Sequence, residues 1–214
     1  MKERTFAFVE GFFHRHPELS GIREEILKTA QLWTEVLGRG GKLLLCGNGG
    51  SCADCDHIAG ELLKGFLLRR PLSRELKEKL SAYGEFGGEI AGKLQQGLPA
   101  ISLCTHSAAM TAFANDVDGD LMFAQQVCAY GNPGDILLGI STSGNSKNVT
   151  AAMMVAAARG LHTVALTGRD GGRIGALADI AVISPQQETY RIQEDHLAIY
   201  HLLCAYVEYE LFEE

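Results

Sequence analysis

Residues 42–63, KLLLCGNGGSCADCDHIAGELL, hold an apolar run, a glycine-rich turn and a helical segment in direct succession. The run 42–47 is continuously apolar after its first residue, as in a strand that is buried on both faces. The glycines at 47–51 mark a turn, and 51–66 has helical spacing. A buried strand that passes through a turn into a helix is the first half of a βαβ unit, so this stretch predicts a parallel sheet.

The same succession recurs along the chain. Four further apolar runs, at 100–105, 135–141, 162–168 and 179–185, follow the first strand. Helical patterns separate them at about 107–114, 121–130, 146–159 and 173–178. Because parallel strands need crossover helices, we expect an α/β three-layer sandwich with a five-stranded parallel sheet.

The remaining segments flank this core. Residues 4–37 have helical spacing that His16-Pro17 interrupts, which predicts an N-terminal helical segment within 1–40, and a long closing helix is expected at 189–212. The segment 67–98 breaks the alternation with a charged helical piece that Ser73 could cap. We interpret this segment either as an insertion or lid that packs beside the sheet, or as a long connection that runs over the surface. The length of 214 residues suits a single domain.

Charge and composition exclude some classes of function. The net charge of −7 and the lack of a Lys/Arg-rich run argue against nucleic acid as the main ligand. No apolar run approaches the roughly 18 residues of a membrane span. Charges interrupt the apolar N-terminus, unlike in a signal peptide. We therefore expect a cytoplasmic protein with reduced cysteines, and neither a membrane nor a nucleic-acid partner.

Two loops at the ends of predicted strands could bind a phosphate group, because ligands of parallel α/β sheets bind beyond the carboxyl ends of the strands. Glycines let the backbone approach an anion, and free N–H groups at a helix start point towards it. Neither loop contains the GK[ST] of a nucleotide-binding P-loop. Hydroxyls without a lysine suit a phosphate monoester, although each loop could also be a structural turn. The candidate residues are Asn48, Gly49, Gly50 and Ser51 in the first loop, and Ser141, Thr142, Ser143 and Ser146 in the second.

Four blocks carry a resemblance to a known family. GNGGS (47–51), LLGISTSGNSKNV (137–149), LTGRDGG (166–172) and RIQEDHLAIYH (191–201) resemble the sugar isomerase (SIS) domain family. The resemblance covers about 1–66 and 99–214. It implies a flavodoxin-like fold and points to the branch that isomerises sedoheptulose 7-phosphate to D-glycero-D-manno-heptose 7-phosphate. It also implies a homotetramer.

The resemblance also implies a catalytic pair and a metal site. It assigns Glu61 as the base and His201 as the acid of an aldose–ketose isomerisation through an enediol. His57, Glu61, Gln193 and His201 would bind one divalent ion, usually zinc. From spacing alone, His57 and Glu61 share a helix face and could equally form a surface ion pair. Gln193 and His201 lie about 12 Å apart along one helix, so both reach one ion only if long side chains converge or different protomers supply them. We favour the second alternative, an active site at a subunit interface of the homotetramer that the resemblance implies.

Other positions follow from the same resemblance. Asn115 and Asp116 would contact sugar hydroxyls, and Glu61 and Gln193 would contact substrate as well as metal. Tyr190 stands where the family pattern leads us to expect an aspartate. Cys52 and Cys55 form a CxxC pair, but no second pair exists to complete a structural zinc site.

Two other functions stay open from the sequence. One is a non-catalytic SIS module that binds sugar phosphates or a protein, like the family's replication-initiation regulator. The other is an isomerase of a different phosphosugar, such as a pentose 5-phosphate. The chain contains all three of Glu61, Gln193 and His201, which a protein that only binds sugar phosphates would not need. This favours an enzyme.

Overall fold

The computed structural model describes residues 1–213, and its centre is a five-stranded sheet in which every pairing is parallel. The strand order is β2-β1-β3-β4-β5. The prediction of a five-stranded parallel sheet is therefore confirmed. The strands are β1 Leu43–Gly47, β2 Ala100–Ser102, β3 Ile136–Ser141, β4 His162–Gly168 and β5 Ile180–Ser184.

Helices cover both faces of the sheet, as expected for crossover connections. A 3₁₀ turn, Pro17–Ile22, follows the break that His16-Pro17 predicts, and α10 has the predicted length. The helices are α1 Glu3–Arg15, α2 Arg23–Gly38, α3 Gly50–Leu63, α4 Arg74–Ser81, α5 Glu85–Lys93, α6 Ser107–Phe113, α7 Met122–Tyr130, α8 Lys147–Ala158, α9 Gly172–Leu177 and α10 Thr189–Phe212.

The strand side chains alternate between two apolar layers. Leu43 and Leu45 of β1 join the layer that includes residues of α1, α2, α3 and α10. Leu44 and Cys46 join the opposite layer, with residues of α7, α8 and α9. Because both faces of the sheet are covered, the strands read as continuously apolar, and the three-layer architecture is confirmed.

Strand β2 ends at Ser102, three residues before the predicted end of its apolar run. It is an edge strand that pairs only with β1. A turn begins at once: the Cys104 amide and the Thr105 hydroxyl donate to the Ser102 hydroxyl and carbonyl oxygens, respectively. These local bonds replace the ladder that a longer strand would need.

The segment 67–98 contains a helical hairpin of α4 and α5. The Ser73 hydroxyl accepts from the Leu76 amide (3.3 Å), so Ser73 is the predicted cap. An isolated bridge between Pro71 and Gln95 closes the base of the hairpin. Ahead of α4, Arg70 is fully buried and pairs with Glu208 of α10.

Among residues 1–213, no helix is both long and apolar enough to cross a membrane.

Candidate active site

Helices α3 and α10 lie side by side and run in the same direction. Gln193 of α10 lies against Gly50 at the start of α3, and seven residues further along both helices Tyr200 meets His57. Further on, Glu208 receives hydrogen bonds from the residues that follow α3. This parallel contact determines which of the predicted site residues meet.

Three of the four predicted metal ligands converge within one chain. His57 Nε2 lies 3.2 Å from Glu61 Oε1, as their spacing of four on α3 predicts. The rings of His57 and His201 have centroids 5.0 Å apart, at 81° to each other. Gln193 lies two helical turns away, against Gly50. His57, Glu61 and His201 thus meet without a second protomer, whereas Gln193 lies apart from them.

Tyr200 orients the His57 ring. Its hydroxyl lies 2.9 Å from His57 Nδ1 and 3.4 Å from Asp54 Oδ1. Because the single proton of the Tyr200 hydroxyl is donated to the Asp54 carboxylate, the hydroxyl oxygen accepts the hydrogen bond from Nδ1–H of His57. Burial raises the pKa of Asp54, and the hydrogen bond from Tyr200 opposes that change. The sequence analysis missed Tyr200 and Asp54, although Asp54 lies three residues before His57 on the same helix.

His201 lies in a half-buried aromatic setting. The Phe66 ring stacks on it with a centroid distance of 5.6 Å, and the Tyr200 ring meets it edge-on. Burial lowers the pKa of His201; His57 lowers it further, while Glu61 raises it. The neutral imidazole, which can both accept and donate a proton, is therefore favoured.

Glu61 is partly buried and has two cationic or potentially cationic neighbours. Besides His57 at Oε1, Lys64 Nζ donates to its Oε2 at 3.1 Å. Its backbone carbonyl accepts from Arg70 Nη2 (3.2 Å), and the Leu62 carbonyl accepts from Arg70 Nη1 (2.8 Å). Arg70 therefore holds the end of α3 on which Glu61 stands.

The donor chemistry of this cluster suits a zinc ion, since imidazole nitrogens and a carboxylate are common zinc ligands. Within residues 1–213, however, no three His, Cys, Asp or Glu side chains stand in a metal-binding arrangement. The side chains of His57, Glu61 and His201 would have to close around an ion. The zinc site stays a prediction.

The two predicted phosphate loops lie next to each other, because β1 and β3 are neighbours in the sheet. Asn48 and Asn148 join them by two reciprocal amide hydrogen bonds, each 2.9 Å long. In the second loop the hydroxyls of Ser141 and Ser146 lie 3.0 Å apart, and the Ser143 hydroxyl accepts from the Asn145 amide. Gly49 and Gly144 have φ of +56° and +66°, which only glycine adopts readily.

A basic residue that the sequence analysis did not select lies beside the second loop. Arg169 helps to line a cavity of about 460 Å³ with Ser143 and Asn145. Its Nε donates to the Gln187 carbonyl (3.3 Å). Its φ of +58° is unusual for a residue other than glycine and places it at the turn after β4. A guanidinium next to hydroxyls suits a phosphate, which is also what the loop composition predicts.

The structure does not bring Asn115 and Asp116 to this cluster within one chain. Both are exposed in the π-helical turn Ala114–Asp118. Their side chains bond to each other, from Asn115 Nδ2 to Asp116 Oδ1 at 2.8 Å. Tyr190 is also exposed, at the start of α10.

Comparisons with known proteins agree with this architecture. A SIS domain profile matches residues 78–168. The phosphoheptose isomerase of Desulfovibrio desulfuricans is 44% identical over 90% of this chain and 78% of its own length. That of Helicobacter pylori is 42% identical over 89% of this chain and 86% of its own. The chain belongs to the phosphoheptose isomerase family.

Solved structures of the family have the same fold. The phosphoheptose isomerase of Neisseria gonorrhoeae is 36% identical, with a TM-score of 0.73 and 96% of this chain and 97% of that chain covered. That of Francisella tularensis is 30% identical, with a TM-score of 0.74 and coverage of 97% and 98%. The resemblance drawn from the four sequence blocks is confirmed, and it extends over nearly the whole chain.

Proposed function

We propose that this protein converts sedoheptulose 7-phosphate to D-glycero-D-manno-heptose 7-phosphate by an aldose–ketose isomerisation. The observation that carries the proposal is the convergence of Glu61 and His201 at the α3–α10 contact, with His57 between them. Membership of the phosphoheptose isomerase family supports it. The joined loops of β1 and β3 supply the hydroxyls and amides for the phosphate.

In this reaction Glu61 is the base. Its carboxylate removes a proton from C1 of the open-chain ketose and returns it to C2, through an enediol shared by the two carbons. His57 and Lys64 hold the two carboxylate oxygens, which limits the rotation of the side chain. Arg70 fixes the backbone beneath it.

His201 is the acid in this proposal. A neutral imidazole can give a proton to one substrate oxygen and take one from the neighbouring oxygen as the carbonyl moves from C2 to C1. The lowered pKa of His201 supports this role, because the burial that causes it favours the neutral ring. Phe66 and Tyr200 hold the ring between them.

We also propose one zinc ion per chain, bound by His57, Glu61 and His201, with Gln193 joining if its side chain turns away from Gly50. Bound there, such an ion would supply Lewis-acid chemistry, which would polarise the substrate carbonyl and stabilise negative charge on the substrate oxygens. Elemental analysis of protein purified without chelator should find about one zinc per chain, and His57→Ala should lower that content. Zinc content that is unchanged in His57→Ala would contradict this ligand set.

We further propose a cytoplasmic homotetramer. All six cysteines are free thiols, which is typical of a reducing compartment. Exposed apolar side chains such as Val117 and Leu121 flank Asn115 and Asp116, so association would cover this face. Light scattering should give a mass near four times the 23.1 kDa of one chain, and a fully active monomer would contradict the proposal.

A panel of sugar phosphates with five to seven carbons tests the function. We expect turnover of sedoheptulose 7-phosphate, followed by NMR at C1 and C2, with incorporation of solvent deuterium at the carbon that receives the proton. Faster turnover of a pentose phosphate would assign a different substrate. Binding without turnover of any member would favour a sugar-phosphate-binding module instead.

A further inference from the structure

A cavity of about 250 Å³ lies between α4, α5 and the base of their hairpin. We call it the basic cavity, because Arg69, Lys77 and Lys93 line it and none of its lining residues is acidic. The whole chain has a net charge of −7, so this cavity has the opposite sign to the protein around it. The isomerisation proposed above uses none of these three cations.

Two of the three cations have no carboxylate partner. Lys93 pairs with Glu89 and lies in the last turn of α5, where a cation suits the helix dipole. Lys77 lies in the middle of α4 and has no acidic residue three or four positions away along the helix. Within residues 1–213, neither Lys77 nor Arg69 forms an ion pair, and Lys77 is half-buried. The basic cavity therefore holds positive charge that the chain does not neutralise.

The other cations of α4 show that this lack of a partner is specific to the cavity. Arg74 and Lys79 each have a glutamate four residues away, and both pairs are exposed on the surface of α4. The same helix thus neutralises the cations that point away from the cavity and leaves Lys77 free. An uncompensated charge in a concave site raises the local concentration of ions of the opposite sign.

The charge and the size of the basic cavity indicate the class of ligand. A phosphate group carries a charge of about −1.5 to −2 at neutral pH, which matches two free cations better than a single carboxylate does. A guanidinium binds two phosphate oxygens at once, and a lysine adds a further charge-assisted hydrogen bond. The cavity is smaller than the roughly 300–1,000 Å³ of pockets for drug-sized ligands, so it suits a small anion.

We propose that the basic cavity binds phosphate through Arg69 and Lys77, either as the free ion or as the phosphate group of a small ester. This site is separate from the two loops at the ends of β1 and β3, because it is formed by the hairpin within 67–98.

The basic cavity is bonded to the end of α3 that carries Glu61. Gln95 lines the cavity, and its Oε1 accepts from the Gly65 amide at 2.7 Å. Arg69 directly precedes Arg70, which donates to the carbonyl of Glu61. Phosphate on Arg69 would therefore restrain the chain that supports Glu61, and kcat should rise. This consequence rests on the proposed function, whereas the binding of phosphate does not.

Amide hydrogen exchange of the full-length protein, mapped by mass spectrometry, tests the proposal. Inorganic phosphate is titrated at constant ionic strength, so that general screening of charge does not change. We expect saturable slowing of exchange in 65–71, 74–81 and 85–95. Protection of the loops 47–51 and 141–146 is read from other peptides, so the two sites are separated in one experiment.

Variants of the cavity decide which side chains bind. In Lys77→Met and in Arg69→Met, the phosphate concentration for half-maximal protection of the hairpin should rise about tenfold, as expected for one lost charge-assisted hydrogen bond. Lys77→Arg keeps the charge and should keep the protection. Arg74→Met is the matched control, because it removes a cation of α4 outside the cavity, and it should behave like the unmodified chain.

Two results would overturn the site. One is a hairpin without saturable protection in the unmodified chain, as when another copy of the chain covers Arg69 and Lys77. The other is an equal loss of protection in Arg74→Met and Lys77→Met, which would reduce the effect to general charge. A parallel titration with glycerol phosphate separates the two sources of phosphate: tighter binding of the ester assigns an ester as the ligand, and tighter binding of the ion assigns free phosphate.

A kinetic experiment tests the coupling to Glu61. Phosphate that competes at the substrate loops raises KM alone, whereas phosphate in the basic cavity should raise kcat at saturating substrate in the unmodified chain and not in Lys77→Met. A rise in KM without any change in kcat would overturn the coupling. If the protein has no isomerase activity, the proposed function fails, while the exchange map still decides whether the cavity binds phosphate.

Discussion

The α3–α10 contact and the segment 104–121 hold the two sets of candidate residues, and they differ in how the chain supports them. At the contact, His57 has partners on both helices, and Glu61 bonds to His57 and Lys64. Arg70 and Glu208 beneath them are fully buried. In the segment 104–121, no residue is fully buried, and Asn115 and Asp116 bond only to each other. The first set is built within one chain. The second requires a substrate or another copy of the chain to give it a partner.

The largest effect is expected at the contact. Glu61→Gln keeps the volume of the side chain but removes its basicity, so kcat should fall about 10²- to 10⁴-fold, the range for a lost general base. His201→Ala should lower kcat to a similar extent. Both proteins should unfold near the temperature of the unmodified chain, measured by calorimetry. Glu89→Gln, in an exposed ion pair on α5, is the matched control and should keep full activity.

Activity close to normal in Glu61→Gln would show that another residue is the base. The α3–α10 contact would then have no catalytic role. The comparison between the two regions would then reduce to one of stability alone.

The buried pair beneath the contact should give the largest loss of stability. Arg70→Met leaves Glu208 without its cationic partner. It also removes the Arg70 donors to the carbonyls of Glu61 and Leu62, of which only Leu62 keeps another donor, the Leu98 amide. Breaking a buried ion pair from one side costs about 3–5 kcal/mol. We expect a decrease of that size in the free energy of unfolding from urea titration, together with a lower kcat in the protein that is folded.

Arg74→Met is the control for Arg70→Met, because its pair with Glu78 is exposed on α4. It should leave the unfolding midpoint unchanged. If the two variants lose equal stability, burial of the Arg70–Glu208 pair does not add to the free energy of unfolding. The residues beneath the contact would then stabilise the protein no more than an exposed ion pair does.

The difference between the regions also explains what the sequence could predict. The strands were predictable because burial on both faces leaves a local, continuous apolar signal. Helix α5 was not predicted, because Gly87 and its neighbouring glycines weaken a helical pattern. Gly87 lies so close to the Leu80 carbonyl that a Cβ would clash, so the helical hairpin needs that glycine.

At the site, too, contacts between residues close in sequence could be predicted, and contacts between distant residues could not. His57 and Glu61 lie one helical turn apart, so their contact could be predicted from spacing. Tyr200 meets His57 across 143 positions, and Arg70 meets Glu208 across 138. Such pairs leave no mark in the local pattern, and only the parallel packing of α3 and α10 reveals them.

In the exposed segment the expected effects separate activity from stability. Asp116→Asn should lower kcat/KM about tenfold, the effect of losing one hydrogen bond to a charged group. The unfolding temperature should not change, since the exposed Asp116 side chain hydrogen-bonds only to Asn115. Asp120→Asn, exposed in the same segment, is the control. A normal kcat/KM in Asp116→Asn would mean that the segment contacts no substrate in any copy.

The smallest effect is expected for Tyr200→Phe, which tests whether the Tyr200 hydroxyl orients the His57 ring. The change removes the hydroxyl that bonds to His57 and Asp54 and leaves the ring packed against His201. Because the His57 ring is exposed and can bond to water instead, stability should fall by only about 1 kcal/mol. With the His57 ring free to turn, kcat should fall several-fold while KM stays the same, since Tyr200 holds His57 rather than the substrate.

Tyr206→Phe, also on α10, is the control for the loss of a buried hydroxyl. A change in KM alone would instead place Tyr200 among the groups that bind the sugar.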